Sequence, residues 1–241
     1  MSLLPNNAID DITKSVFWAD CMVRTDLALG LIANENDYTS NLTSAIRRQI
    51  NSKNRSSLRA TSLVLKHKVE IEVGCDACII LSDTKKFKVC LFEAKLPRRS
   101  NKDYWDKSKR FSKQVQKQCS VSNQFAVWEM FYCDYALGKQ PSWMNDKTSS
   151  CVWHSDAYAK VLSRDNSKTW TDAELEDLLT HVASQSSKLS TQIDHMVKEV
   201  CFCNKGQVFK GNQYSDILSD YDLPPEALII EYSEANNLFF E

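Results

Sequence analysis

Glycine and proline are scarce in this chain of 241 residues, five of each, which excludes collagen-like, Gly/Ser-linker and Pro-rich extended architectures. No apolar run approaches the roughly 20 residues needed to cross a bilayer. The N-terminal MSLLPNNAIDD has neither a basic start nor a long apolar stretch of the secretory kind. Neither export nor membrane insertion is expected, and a cytoplasmic or other intracellular setting, the nucleoid or nucleus included, is. Net charge is missing too, because 30 Lys and Arg against 31 Asp and Glu leave a formal −1. The four histidines (His67, His154, His181 and His195) show no HxxxH or HExxH spacing. His154-Ser155-Asp156 is a triad in composition alone, since sequence neighbours rarely converge on one reacting atom.

What is present fits a protein with a buried core, because 43% of residues are apolar and 25% charged. Nine cysteines without a secretion signal suit a reducing compartment, where thiols fill cores. Cys75-x-x-Cys78 and Cys201-x-Cys203 could pool four thiolates on zinc. A zinc ribbon needs tight turns at each pair, however, and Cys78 runs directly into Ile79-Ile80-Leu81, a strand interior. The neutral total conceals segregation: residues 47–117 carry 19 basic against 7 acidic residues, a net of +12, while residues 171–241 carry 4 against 13, a net of −9. The first block is the footprint of a polyanion-binding face, and the second would repel a polyanion.

Periodicity supplies the elements. Ile9, Ile12, Val16, Ala19, Val23, Leu27 and Ile32 recur at helical spacing over 8–33, and Leu42, Ala45, Ile46 and Ile50 form a stripe on a second helix over 37–49, with Glu35 at or just before its start. The period then becomes two. Strands are expected over 63–73, 76–81 and 87–96, the last two joined by the turn Ser82-Asp83-Thr84-Lys85, and together they read as an antiparallel meander. A basic helix over 102–121 and a strand over 125–132 follow. Thr171-x-x-Glu174 has capping-box spacing before Leu175, Leu178, Leu179 and Val182. A further amphipathic helix contains Ile193, Met196, Val197 and Val200, and a late strand spans 227–232. The fold class is α+β, with a mixed-sheet core and N-terminal helices in 1–140 and an acidic, largely helical C-terminal elaboration of the same domain in 141–241.

The third strand is apolar except near its end, where Glu93 and Lys95 are two residues apart and so share a face. Ionised groups are rarely buried unless paired or chemically employed. Asp76, just after Gly74, would come level with Glu93 across a hairpin. Two carboxylates, a backbone carbonyl and an ammonium in one place suit Mg²⁺-dependent phosphodiester hydrolysis, since Mg²⁺ takes hard oxygen donors and keeps several waters.

Asp76 followed by Glu93-Ala94-Lys95, in a helix–strand–strand–strand–helix–strand order, resembles the PD-(D/E)xK nuclease superfamily, the restriction-endonuclease-like fold, over roughly residues 30–135. The resemblance implies that Asp76, Glu93 and the Ala94 carbonyl bind Mg²⁺ or Mn²⁺ and that Lys95 assists catalysis. Cys75 stands where the family's Pro would be, a position that contributes no ligand. The resemblance also offers Glu35 as an extra ligand on the helix before the sheet, with Glu70 or Glu72 as substitutes. Gln114 and Gln118 lie one turn apart on the basic helix, where some members carry a Gln-x-x-x-Tyr pair; here Gln replaces the Tyr, and both are candidate nucleic-acid contacts. Arg98, Arg99 and Lys102 follow the site directly, in a stretch (95–117) of nine basic residues and two acids interleaved with Tyr104, Trp105 and Phe111, which suits phosphate and base contacts. The expected function is DNA cleavage in restriction, defence, recombination or repair, with RNA as an alternative substrate and a homodimer as one form open to it; the sequence does not fix the oligomeric state. The alternative is an inactive nucleic-acid-binding or protein-interaction module on the same fold.

Overall fold

The computed structural model describes residues 2–53, 57–64, 73–97, 105–106, 110–132, 149–185, 192–211, 214, 221, 223–224 and 226–234. Two helices open the chain, α1 (Asn6–Ala28) and α2 (Glu35–Ser52). Ile9, Ile12, Val16, Ala19 and Val23 of α1 and Tyr38, Leu42, Ile46 and Ile50 of α2 are buried, the stripes expected from their 3–4 residue spacing. The side chain of Asn34 caps α2 by accepting from the Asp37 N–H at 3.0 Å, and Glu35 and Asp37 occupy the first turn, where the helix dipole favours acids.

Seven strands among the described residues form one mixed sheet: β1 (Leu58–Val64), β2 (Ala77–Ser82), β3 (Lys86–Lys95), β4 (Ala126–Phe131), β5 (Ser150–Trp153), β6 (Phe209–Lys210) and β7 (Glu226–Tyr232). Its order is β1-β7-β2-β3-β4-β5, with β6 paired to β3. The remaining helices are α3 (Phe111–Gln118), α4 (His154–Leu162), α5 (Asp172–Gln185) and α6 (Ile193–Cys201). Helices α1, α2 and α6 cover one face of the sheet around Ile79, Phe92, Trp128 and Ile230. On the other face Ile80, Val89, Leu91 and Val127 form one cluster, and α3, α4 and α5 form another around Phe111, Phe131 and Trp170.

The expected α+β class stands, but the meander does not. Strand β7 inserts between β1 and β2, antiparallel to the first and parallel to the second. Of the described strands expected in the meander, β2 and β3 alone pair with each other, in a hairpin closed by Asp83, whose carboxylate accepts from the Lys85 and Lys86 N–H groups at 2.7 and 2.8 Å. A strand of Ala227, Leu228, Ile229 and Ile230 is buried and fits a position with neighbours on both edges. The first strand begins earlier than its pattern suggested, at Leu58, and residues 65–72 lie outside the described residues. The basic helix is shorter than expected. It starts at Phe111 because the Asp106 carboxylate accepts from the N–H groups of Arg110 and Phe111 at 3.2 and 3.1 Å, satisfying donors that a helix start leaves free. The sequence reading had no place for β5 and α4, which abut at Trp153-His154.

Candidate metal centre

The hairpin register pairs Ala77 with Phe92, so the next rung sets Asp76 beside Glu93. Backbone bonding extends there, with the Asp76 N–H donating to the Phe92 carbonyl at 2.9 Å. One oxygen of the Asp76 carboxylate accepts from the Ala94 N–H at 2.8 Å, fixing its rotamer. Glu93 projects from β3 on the face that carries Val89 and Leu91 and is 1% exposed. Its Oε1 accepts from the Lys95 ammonium and from the Gln114 side-chain amide of α3.

Glu35, the first residue of α2, reaches the same place around the end of β3. Its Oε2 accepts from the Leu96 N–H at 2.8 Å, and its Oε1 is 3.6 Å from the Lys95 Nζ. The start of α2 is held over the sheet by Tyr38, whose ring stacks on Tyr132 at 3.6 Å between centroids, and by Thr39, whose hydroxyl is 2.6 Å from the Tyr132 hydroxyl. Ligand oxygens of Glu35, Asp76 and Glu93 all lie within 4.8 Å of one another.

The electrostatics follow from crowding. Burial pushes the Glu93 carboxyl well above its ordinary range, with Asp76 adding to the shift and Lys95 opposing it. Burial raises Glu35 as well, against the pull of Lys95 and the Leu96 N–H. For Lys95, burial alone favours the neutral amine, but Glu93 and Glu35 outweigh it and hold the ammonium above its usual value. Among the described residues, three carboxylates thus share one compensating cation.

A second layer of polar groups backs this site. Glu129 of β4 pairs with Glu93 in the parallel β3–β4 register and is fully buried; burial raises its carboxyl, against hydrogen bonds from His154 and Gln118. Gln118 is buried too. Its Nε2 donates to the Gly74 carbonyl at 2.9 Å and to Glu129 at 3.2 Å, and its Oε1 is 2.8 Å from His154 Nδ1. Gln118 therefore is not a nucleic-acid contact, because its amide is wholly engaged inside the protein. Gln114 differs from expectation as well, since its side chain turns inward to Glu93.

Asp76, Glu93, Ala94 and Lys95 come together as the hairpin spacing suggested, and Glu35, which the resemblance offered, joins them. Arg98, Arg99, Lys102, Glu70 and Glu72 lie outside the described residues. Glu129 is no candidate in the sequence, and His154 is dismissed there as part of a triad in composition alone, yet both back the site. A signal existed for Glu129, an acid in the middle of the apolar run Phe125–Tyr132, which is the same anomaly that drew attention to Glu93. No family model, curated protein or solved structure matches this chain.

Proposed function

We propose that this protein is a Mg²⁺- or Mn²⁺-dependent nuclease that hydrolyses DNA phosphodiester bonds, built on the restriction-endonuclease-like plan. The observation that carries this reading is the convergence of the Glu35, Asp76 and Glu93 carboxylates within 4.8 Å around the Lys95 ammonium at the end of a buried strand. The donor set fits a hard divalent cation. It is all oxygen, it sets three carboxylates against one ammonium among the described residues, and burial together with the neighbouring Asp76 pushes the Glu93 carboxyl up, a crowding that a bound cation would relieve. Asp76, Glu93 and Glu35, with the Ala94 carbonyl, would hold the ion. Bound there, Mg²⁺ supplies a water of lowered pKa and neutralises charge on the phosphoryl oxygens.

The protein's own groups have separable tasks. The Ala94 N–H pins Asp76, and Gln114 orients Glu93. Lys95, kept protonated by its two carboxylate neighbours, serves as a donor to the attacking water and to the developing negative charge rather than as a base. Basic residues concentrated in 47–117 supply the attraction for a polyanion.

The test is to incubate the protein with supercoiled, linear and single-stranded DNA in Mg²⁺ or Mn²⁺, beside Asp76→Asn and Lys95→Ala. Metal-dependent cutting is expected. Asp76→Asn should lose both cutting and Mn²⁺ binding measured by calorimetry, whereas Lys95→Ala should keep the metal and lose cutting by about 10²–10³-fold. Undiminished cutting in both variants would overturn the assignment. Salt-sensitive DNA binding with no cutting under any metal would instead mark the protein as a binding module.

A further inference from the structure

Outside the metal centre, on the far side of Gln118, a thiol and an imidazole meet at a cavity. Cys119 follows the last residue of α3 and is exposed. Its Sγ is 3.7 Å from Nε2 of His154, the first residue of α4. The tautomer of His154 can be worked out from its partners. Gln118 spends its NH₂ group on the Gly74 carbonyl and on Glu129, so the atom facing His154 Nδ1 at 2.8 Å is its carbonyl oxygen. An acceptor there requires a proton on Nδ1, which leaves the lone pair of Nε2 aimed at the sulfur. Glu129 Oε1, 3.8 Å from Nδ1, would stabilise the imidazolium once a proton is taken up.

We propose that Cys119 is a nucleophilic thiol and a covalent modification site for peroxides and other soft electrophiles, with His154 as its general base and Gln118 as the group that orients the base. Access is provided by a cavity of about 370 Å³ whose lining includes Cys119, Phe125, Trp153, His154, Tyr158 and Lys205. The Tyr158 ring stacks on His154, 5.7 Å between centroids, and the Lys205 ammonium lies 5.0 Å from the centre of the Trp153 ring. The cavity thus combines aromatic walls with one cation. Cys75, Cys78, Cys90 and Cys201 are buried instead. Burial raises Cys75 and Cys90 well above the ordinary thiol value and pushes Cys78 and Cys201 up to about 12.

The reaction balances with a peroxide as the sole co-reactant. His154 Nε2 takes the thiol proton, and the sulfur attacks one peroxide oxygen, forming an S–O bond as the O–O bond breaks. Sulfur gives up two electrons, and the departing oxygen collects the proton from His154 to leave as water or an alcohol, with a sulfenic acid remaining on Cys119. The end of α3 sharpens the test. A helix C-terminus disfavours a negative charge, so the thiol without His154 should be no more reactive than a free cysteine.

The full-length protein in chelator is treated at pH 7 with hydrogen peroxide plus a sulfenic-acid trap, or with iodoacetamide, and rates are read peptide by peptide by mass spectrometry. Cys119 is expected to react about tenfold or more faster than glutathione, and His154→Ala to bring it to or below the glutathione rate. A wild-type rate no greater than that of glutathione overturns the proposal, as does a rate unchanged in a folded His154→Ala. If that variant does not fold, the wild-type comparison with glutathione still decides. Neither reagent needs the metal, so failure here is distinct from failure of the nuclease reading.

Discussion

Glu93 is the residue on which the site turns, because it is buried, paired with Lys95 and crowded by a second carboxylate. A carboxyl whose folded-state pKa is raised stabilises the fold fully only below its unfolded value of about 4.3, and that contribution is lost as pH rises through the folded value. Glu93→Gln keeps the neutral shape at every pH. In chelator, urea denaturation should therefore show wild type losing stability relative to this variant between pH 4.5 and 7.5, by on the order of a kcal/mol. Saturating Mg²⁺ should reverse the ranking. A ligand at 100 times its Kd adds about 2.7 kcal/mol, and the variant should gain less. Equal pH profiles in chelator would mean that Glu93 carries no buried charge. The pair Glu93 and Lys95 was legible in the sequence because a strand's period of two puts both on one face. Glu35 was legible only as a candidate, since no local pattern says where the first turn of a helix will dock.

At the scale of elements, the site depends on how closely α3 approaches the segment before β2. Gly74 has φ +66°, and a Cβ placed there would come within 3.0 Å of the Gln114 carbonyl oxygen, a backbone atom that cannot swing aside. Gly74→Ala thus meets both backbone strain and a steric push on the helix that carries Gln114 and Gln118. A loss of about 1 kcal/mol or more is expected, seen as a fall in Tm of at least 2–4 °C, together with weaker Mn²⁺ binding as Gln114 moves off Glu93. Wild-type behaviour in both assays would show that α3 can retreat without consequence. The helix itself was expected from about 102, whereas the chain enters it at Phe111 under the Asp106 cap. Basic, amphipathic spacing identifies the helix but not its first residue, which a hydrogen bond from four or five residues upstream selects.

Across the whole molecule, the acidic C-terminal third is not a detachable appendage. It supplies β7, which separates β1 from β2. Truncation after residue 225 should expose two apolar strand edges and abolish cooperative thermal unfolding by circular dichroism, and a truncated protein that melts cooperatively would show that β1 can close directly on β2. The segregation of charge, +12 in 47–117 and −9 in 171–241, therefore coexists with intimate packing of the two segments in one sheet.

The sequence by itself determined the helices and strands with strong periodicity, and it determined that Asp76, Glu93 and Lys95 would meet, because a hairpin and an alternating strand are settled by residues close in the chain. Tertiary structure alone decided the insertion of β7, the docking of Glu35 around the strand end, the burial of Gln118 and the meeting of Cys119 with His154. Each joins segments far apart in sequence. Their pairing is chosen by which arrangement buries the most apolar surface while satisfying every buried polar group, a choice made by the whole core at once.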